Sequence, residues 1–428
     1  MVGITYLSKK FFYNLKYNEL INKLIKNIYG VKMDILHVVP SFYPCLSAGG
    51  VVNASYQLSK KQVERGNKVS VFTTDSCKNR LKLEKHYDVN VNGVNTYYFK
   101  NLSNHLKSSY LIDTPFAMPF KTSEIIKNYE ILHIHEHRHS LAIIAIHHAL
   151  KNNSPYVLQA HGSVLPFFQK ESLKKIFDKI WGFKILHNAS KVLALTEVEK
   201  KQYLKMGVKE ENIEIVPLGI NLTEYNSLPS KGKFRSKFAI ANEDKLILFI
   251  GRIHRIKGLE LLVKSFKLLK YDLKDELNNS NLKLAIVGPD DGFLEELNKL
   301  IQKLNLKEDI ILTGPLFEEN KKSAIVDSDI FVMPSKYESF TTSGLEAMAC
   351  EKPLVLTKNN HINTWVNNNV GFSCDYDEID LANSIKKLLI DEKLIKKFGK
   401  SGRKLIEEKY NWNSVEKQIK NIYDIILE

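Results

Sequence analysis

The residues best suited to chemistry fall in four short segments, each following an apolar run and leading into a helical pattern. In Gly251-Arg252-Ile253-His254-Arg255-Ile256-Lys257-Gly258, two glycines bracket Arg252 and Lys257 at the start of a helix. Arginine offers phosphate oxygens a planar fork, lysine a point charge, and a helix N-terminus its N–H groups at the positive end of the dipole. The segment reads as a diphosphate clamp, with a solvated basic turn as the alternative. Between Pro334 and Ala347, Glu338 lies in a loop and Glu346 one turn inside the next helix. Carboxylates accept hydrogen bonds from the vicinal hydroxyls of a ribose or hexose, and the loop Phe340, Thr341, Thr342, Ser343 can cradle a phosphate or sugar. A helix start with acidic residues near its positive dipole end is the other reading. Gly49 and Gly50 precede a third helix and let an anionic or hydroxylated ligand approach the backbone, or simply make a tight turn. His161-Gly162 ends a strand, with the imidazole at the rim of the strand ends or in a structural role.

Three acidic pairs, Asp290-Asp291, Asp327 with Asp329 and Asp375 with Asp377, invite a divalent cation. Asp375 and Asp377 precede a helix and fit capping, Asp327 and Asp329 bracket a strand start, and the cationic clamp already supplies the charge a metal would. No metal and no cofactor is expected. The alternating His133, His135, His137 and His139 share a strand face, and zinc is one reading. An ordinary strand end with one or two imidazoles near an acceptor is preferred.

A chain of 428 residues has room for two or three domains. Its 44% hydrophobic and 26% charged content excludes disordered and collagen-like classes. A formal net charge of +14 favours polyanions, whether nucleic acid, phosphorylated metabolites or an anionic membrane face. No basic-aromatic recognition motif supports nucleic acid. Cys45, Cys77, Cys350 and Cys374 are far apart without C-x-x-C spacing, so neither a zinc knuckle nor a disulfide framework is readable and a reducing cytoplasm is expected. No apolar run approaches the roughly 18 residues of a spanning helix, and no signal-peptide core is present at the N-terminus.

Strands and helices must alternate to place these loops. The pattern gives strands near 34–39, 68–73, 131–135, 156–160 and 191–194, then a second series near 245–250, 283–287, 309–312, 330–333 and 354–357, with helices between. Such alternation predicts an α/β chain of two doubly wound, Rossmann-like domains, with ligands bound outside the carboxyl ends of the strands and a cleft between the two. The expected layout is a basic amphipathic extension at 1–32, a first domain at 33–221, a linker at 222–243, a second domain at 244–409, and a C-terminal helix at 410–428 returning to the first domain. The extension is equally readable as a frayed tail, and Met33 as an alternative start.

Taken together, Gly49-Gly50, His161-Gly162, Val216-Pro217-Leu218-Gly219-Ile220, Gly251-Arg252 to Lys257-Gly258, Val287-Gly288, Thr313-Gly314, Asp329 to Pro334-Ser335 and Glu338 to Glu346-Ala347 resemble the retaining GT-B glycosyltransferases of glycosyltransferase family 4. The resemblance covers nearly everything after Met33. It implies a nucleotide-sugar donor, a UDP- or GDP-sugar, on the C-terminal domain, an acceptor on the N-terminal domain, and hexosyl transfer with retained anomeric configuration. Carried over, Arg252 and Lys257 hold the donor diphosphate, with Gly288 and the Phe340–Ser343 loop nearby. Glu346 takes the ribose and Glu338 the sugar hydroxyls. His161 contacts the transferred sugar, and Gly50, beside Gly49, the region of phosphate and acceptor. Thr341, Glu351 and Asn359-Asn360 stand where the family commonly has glycine.

Acceptor clues are compositional. A basic aromatic helix, Ser172 to Lys184, and an aromatic-rich loop, Tyr110 to Phe120, point to a lipid-linked or envelope glycan acceptor and to peripheral attachment at the inner membrane face. The helix is also readable as a packed element with a solvated lysine face. A non-catalytic nucleotide-sugar sensor or scaffold of the same fold is the alternative function; intact Arg252, Lys257, Glu338 and Glu346 argue for the enzyme.

Overall fold

The computed structural model describes residues 32–428 except 46–48, 78–79, 111, 167–169, 274–280 and 368, with backbone only at 108–110. The basic extension expected at 1–32 thus lies, but for Lys32, outside the described residues. Fourteen strands are described: β1 (Asp34–Val38), β2 (Lys68–Thr74), β3 (Val89–Val91), β4 (Val94–Phe99), β5 (Ile131–His135), β6 (Tyr156–Gln159), β7 (Lys191–Ala194), β8 (Ile213–Ile215), β9 (Lys245–Ile250), β10 (Leu282–Val287), β11 (Ile310–Gly314), β12 (Ile330–Met333), β13 (Leu354–Thr357) and β14 (Gly371–Cys374). They form two sheets, ordered β3-β4-β2-β1-β5-β6-β7-β8 and β11-β10-β9-β12-β13-β14. Pairings such as β1 with β2 and β5, and β9 with β10 and β12, are parallel, while β3 pairs antiparallel with β4. The chain divides into two compact units at Val157–Leu158, inside β6, with Ile426–Glu428 grouped with the first.

Strands covered by helices on both faces must be apolar on both faces, and β9, Lys-Leu-Ile-Leu-Phe-Ile, is buried from Leu246 onward. Sequence patterning misses β3 and β4, where polar residues interrupt the apolar run, and the short β8 and β14. It also reads one continuous helix from Ser172 to Lys184 and beyond. The structure has Glu171–Phe177, a π turn at Asp178–Gly182 and Phe183–His187. A Cβ on Gly182 would lie 2.5 Å from the buried Asp178 carboxylate, so the turn is built around that side chain.

In the first unit, Cys45 and Cys77 form a disulfide with a Cα–Cα distance of 5.7 Å, a pairing that the spacing did not reveal, and it removes the argument for a reducing compartment. Parallel pairing of β1 with β2 makes their outgoing loops neighbours, although 32 residues separate the two cysteines. The histidine run also differs from expectation. His37 on β1 and His133 and His135 on β5 are fully buried and stacked, with His37 Nδ1 and His135 Nε2 2.8 Å apart and His37 Nε2 2.7 Å from Gln62 Oε1. Their ring nitrogens come within 4.8 Å of one another, so the cluster could chelate a cation, but the contacts in place are ring-to-ring and ring-to-amide. His137 and His139 are buried as well, and the His139 ring accepts the Ala142 N–H at the start of the helix Ser140–Lys151. The run is therefore core and cap, with all four imidazoles buried rather than one or two exposed at the strand end.

In the second unit, the segment expected as a polar linker is anchored. The helix Lys233–Lys237 begins where Asp327 accepts the N–H groups of Gly232 (2.6 Å), Phe234 (2.8 Å) and Arg235 (3.0 Å). Asp329 accepts the N–H of Leu246 at 2.7 Å and pairs with the buried Arg235.

Two outcomes follow from this packing. Asp327→Ala leaves three N–H donors without their carboxylate and should destabilise the chain by about 3 kcal/mol, read from its urea midpoint; a change within 0.5 kcal/mol, the scale of a surface substitution, would count against the anchor. Acid should also weaken the first unit. Burial holds His37 down to about 4 and His139 to about 3, so below the ordinary value of about 6.5 the unfolded chain takes up protons that the folded chain refuses. Glu136, pushed up to about 7 by burial, acts oppositely, since its folded form binds the proton first. Burial also raises the Asp113 carboxyl and lowers the His148 imidazole, so three imidazoles stand against two carboxyls and stability should fall as pH drops from 6.5 toward 4. His37→Gln should flatten that fall.

Candidate active site

In the second sheet the strand order reverses between β9 and β12, and ligands of open parallel sheets bind at such a switch point. The loop after β9 carries Gly251 to Gly258, and the loop after β12 carries Pro334 to Thr341. They touch. Gly258 has φ +68°, and a Cβ there would lie 1.8 Å from the Pro334 carbonyl oxygen, so only glycine permits the contact. Gly288, after β10, is constrained in the same way against the carbonyl of Gly251, also at 1.8 Å.

This approach brings the charged residues together. Lys257, at the end of a 3₁₀ turn, donates to the Glu338 carboxylate, with both side chains about 85% buried. The Glu338 backbone is fixed on both sides, its N–H donating to Asn359 O (3.2 Å) and its carbonyl accepting from His361 N (2.8 Å). Arg252 pairs with Asp291 and is largely exposed. Glu346 lies inside the helix Thr342–Ala349 and accepts from Lys321 at 2.7 Å, with the Tyr225 hydroxyl beside it. Arg252, Lys257, Glu338 and Glu346 thus each have a protein partner of opposite charge.

The hydroxyls around Phe340 are engaged locally. Thr341 Oγ1 accepts from Gly344 N at 3.1 Å as the helix cap, and Ser343 Oγ donates to the Ile250 carbonyl at 3.1 Å. Thr341 has φ −112°, an ordinary backbone, so its departure from glycine costs nothing in conformation. Glu351 instead has φ +57°, the left-handed region in which glycine is favoured. Asn360 is buried; its Oδ1 accepts from Ile362 N, while its Nδ2 has no partner among the described residues.

His161 sits at φ +52° after β6, and burial pushes its imidazole down to about 3, so it is neutral at any physiological pH. The turn is clipped by a residue that sequence reasoning did not single out. Glu199 accepts Gly162 N and Leu195 N, each at 2.6 Å, and burial raises its carboxyl to about 7. No sequence signal marked it, because the helix Glu197–Lys205 has no apolar face and buries Glu199, Gln202 and Tyr203. Tyr337 Oη reaches the Gly162 carbonyl at 3.4 Å, and a Cβ on Gly162 would lie 2.2 Å from Ser339 Oγ, so the His161 turn abuts the Glu338 loop. In the first unit, Gly49 (φ +109°) precedes the helix Gly50–Glu64, and a Cβ at Gly49 or Gly50 would meet nothing within 4 Å.

Within the acidic pairs, Asp291 is the partner of Arg252, and the other members hold backbone N–H groups or cations. Asp290 accepts the N–H groups of Gly292, Phe293 and Leu294, Asp377 those of Ile379 and Asp380, and Asp375 pairs with Lys358.

Residues 230–405 match the family described as Glycosyl transferases group 1, and residues 48–224 match Glycosyltransferase Family 4. An uncharacterised glycosyltransferase of Methanocaldococcus jannaschii is 23% identical over 400 residues, covering 90% of this chain and 97% of that protein. The alpha-monoglucosyldiacylglycerol synthase of Streptococcus pneumoniae is 24% identical over 365 residues, 82% and 77% of the two chains. Among solved structures, the sucrose-phosphate synthase of Thermosynechococcus elongatus superposes with a TM-score of 0.74 at 20% identity, covering 92% of this chain and 99% of that one. Anabaena HepE in complex with UDP and glucose does so at 0.70 and 17% identity, covering 92% and 100%. The order of the loops, the two parallel sheets and both family matches agree: the chain belongs to glycosyltransferase family 4 and is a glycosyltransferase of the GT-B fold.

Proposed function

We propose that this glycosyltransferase moves a hexose or related sugar from a UDP- or GDP-sugar to an acceptor hydroxyl with retention of anomeric configuration and without a metal. The observation that carries the reading is the Lys257–Glu338 pair at the β9/β12 switch point. A donor diphosphate draws Lys257 and Arg252 to its oxygens, which releases Glu338 to accept hydroxyls of the sugar. Glu346 exchanges Lys321 for ribose hydroxyls in the same manner. The UDP and glucose complex of HepE supports a nucleotide-sugar donor.

In the transfer itself, the bond from the anomeric carbon to the diphosphate oxygen breaks as charge builds on the leaving group, where the two cations stabilise it. The acceptor oxygen attacks the oxocarbenium-like sugar from the same face, and its proton passes to an oxygen of the departing diphosphate. No second carboxylate is needed, unlike the roughly 5 Å pair of retaining glycosidases. His161, neutral, hydrogen-bonds the transferred sugar.

The acceptor is a lipid-linked or cell-envelope glycan bound by the N-terminal domain, 33–221, with the donor on 244–409, and the enzyme works at the inner face of an anionic membrane. The relative that makes a diacylglycerol glycolipid supports this, as do Phe116 and Phe120, exposed in the first unit. No helix among the described residues is long and apolar enough to cross a membrane.

Mass-spectrometric screening of the purified protein against a panel of UDP- and GDP-sugars, with and without chelator, tests the function; transfer or hydrolysis of at least one donor, unaffected by chelator, is expected. Binding without turnover of any donor would favour a sensor. Lys257→Ala and Arg252→Ala should each lower turnover about 10²-fold with the fold intact, and near-normal rates in both would remove the clamp. Glu346→Gln should weaken calorimetric binding of the nucleoside diphosphate, whereas Glu338→Gln should spare it and lower kcat.

A further inference from the structure

One motif of the sequence is left unused by the reaction. The segment Glu171–Phe177, Asp178–Gly182 and Phe183–His187 holds to the protein through Asp178, Gly182, Ile185 and Leu186, which are buried. Its other side is apolar and open: Leu173 is 59% exposed, Ile176 56% and Ile180 55%, with Trp181 and Phe183 each 41%. Leu173, Ile176, Ile180 and Phe183 recur every three or four residues and so share one stripe. Large apolar side chains left in water along nearly three helical turns are unusual in a soluble surface unless something covers them.

The flanking charge identifies the cover. Lys170, Lys174, Lys175, Lys179 and Lys184 accompany the stripe, against Glu171, which Lys175 pairs at 2.7 Å, and Asp178, which faces inward and is buried. An apolar stripe set among cations complements a surface with acyl chains beneath anionic headgroups. A second copy of this chain would set lysines against lysines.

We propose that the helix 171–187 is the membrane anchor of this enzyme, lying in the plane of an anionic bilayer with Leu173, Ile176, Ile180, Trp181 and Phe183 entering the headgroup–acyl boundary. The inference deepens the reading of a lipid-linked acceptor and rests on it for its purpose. The π turn has a part in this: it brings Asp178 and Gly182 inward together, so that the inner side can pack while the stripe stays outside.

Flotation of the full-length protein with phosphatidylcholine vesicles, alone or mixed with phosphatidylglycerol, tests the anchor. Binding is expected to the mixed vesicles at low salt, to weaken in high salt, and to be slight with phosphatidylcholine alone. Ile176→Glu with Ile180→Glu should lower the bound fraction about tenfold, and Lys175→Glu with Lys179→Glu should abolish the salt dependence. Both variants alter exposed positions and should retain calorimetric binding of UDP or GDP. Native protein that stays wholly unbound overturns the proposal, as does vesicle binding indifferent to the isoleucine substitutions. A dimer in light scattering that those substitutions dissolve would assign the stripe to a second copy and equally overturn it. Loss of nucleotide binding in the native protein would instead strike the glycosyltransfer reading, so the two failures are separable.

Discussion

The second unit is organised by the contact of two loops across the β9/β12 switch point. At Gly258 the backbone turns left-handed within van der Waals distance of the Pro334 carbonyl, leaving no room for a side chain. That single steric condition sets where Lys257 emerges, and it emerges against Glu338. The neighbouring constraint between Gly288 and the Gly251 carbonyl fixes the base of the same loop. Helix capping by Thr341 and the bond from Ser343 to Ile250 then tie the helix bearing Glu346 to the end of β9. Preorganisation here is a matter of backbone approach first and charge second.

The charges are arranged as exchangeable pairs. Lys257 with Glu338, Arg252 with Asp291 and Lys321 with Glu346 each satisfy a cation and a carboxylate within the protein. A buried cation without a partner would carry a large desolvation cost, and the pairing removes it in the free enzyme. A donor carrying a diphosphate and hydroxyls offers each member of such a pair a new partner of matching type, so the net gain on binding is a difference between two paired states. Around the pairs, burial shifts other polar groups toward their uncharged forms. His161 is neutral and Glu199 titrates near neutrality, both because burial penalises their charged forms. Glu199 shapes the His161 turn by accepting two N–H groups rather than by taking part in a salt bridge.

The first unit uses burial differently. Its histidines occupy core and cap positions at β1 and β5, where the ring nitrogens find one another, Gln62 and a helix start. The disulfide between the loops leaving β1 and β2 is a consequence of parallel pairing in the same sheet.

The sequence by itself determined the fold class, the two sheets and the loops that carry charge, because apolar runs, glycine positions and charge spacing are local properties of the chain. It located Arg252, Lys257, Glu338 and Glu346, and the structure puts the last three in paired, largely buried positions near one switch point. It could not read what depends on distant residues meeting. The partners Asp291 and Lys321, the Glu199 clip, the Cys45–Cys77 bond and the anchoring of 232–235 by Asp327 all join segments well separated along the chain, and no period or motif marks them. The same limit explains the histidine run: alternation tells which side chains share a face, whereas only the packing of β1 against β5 decides that this face is the core.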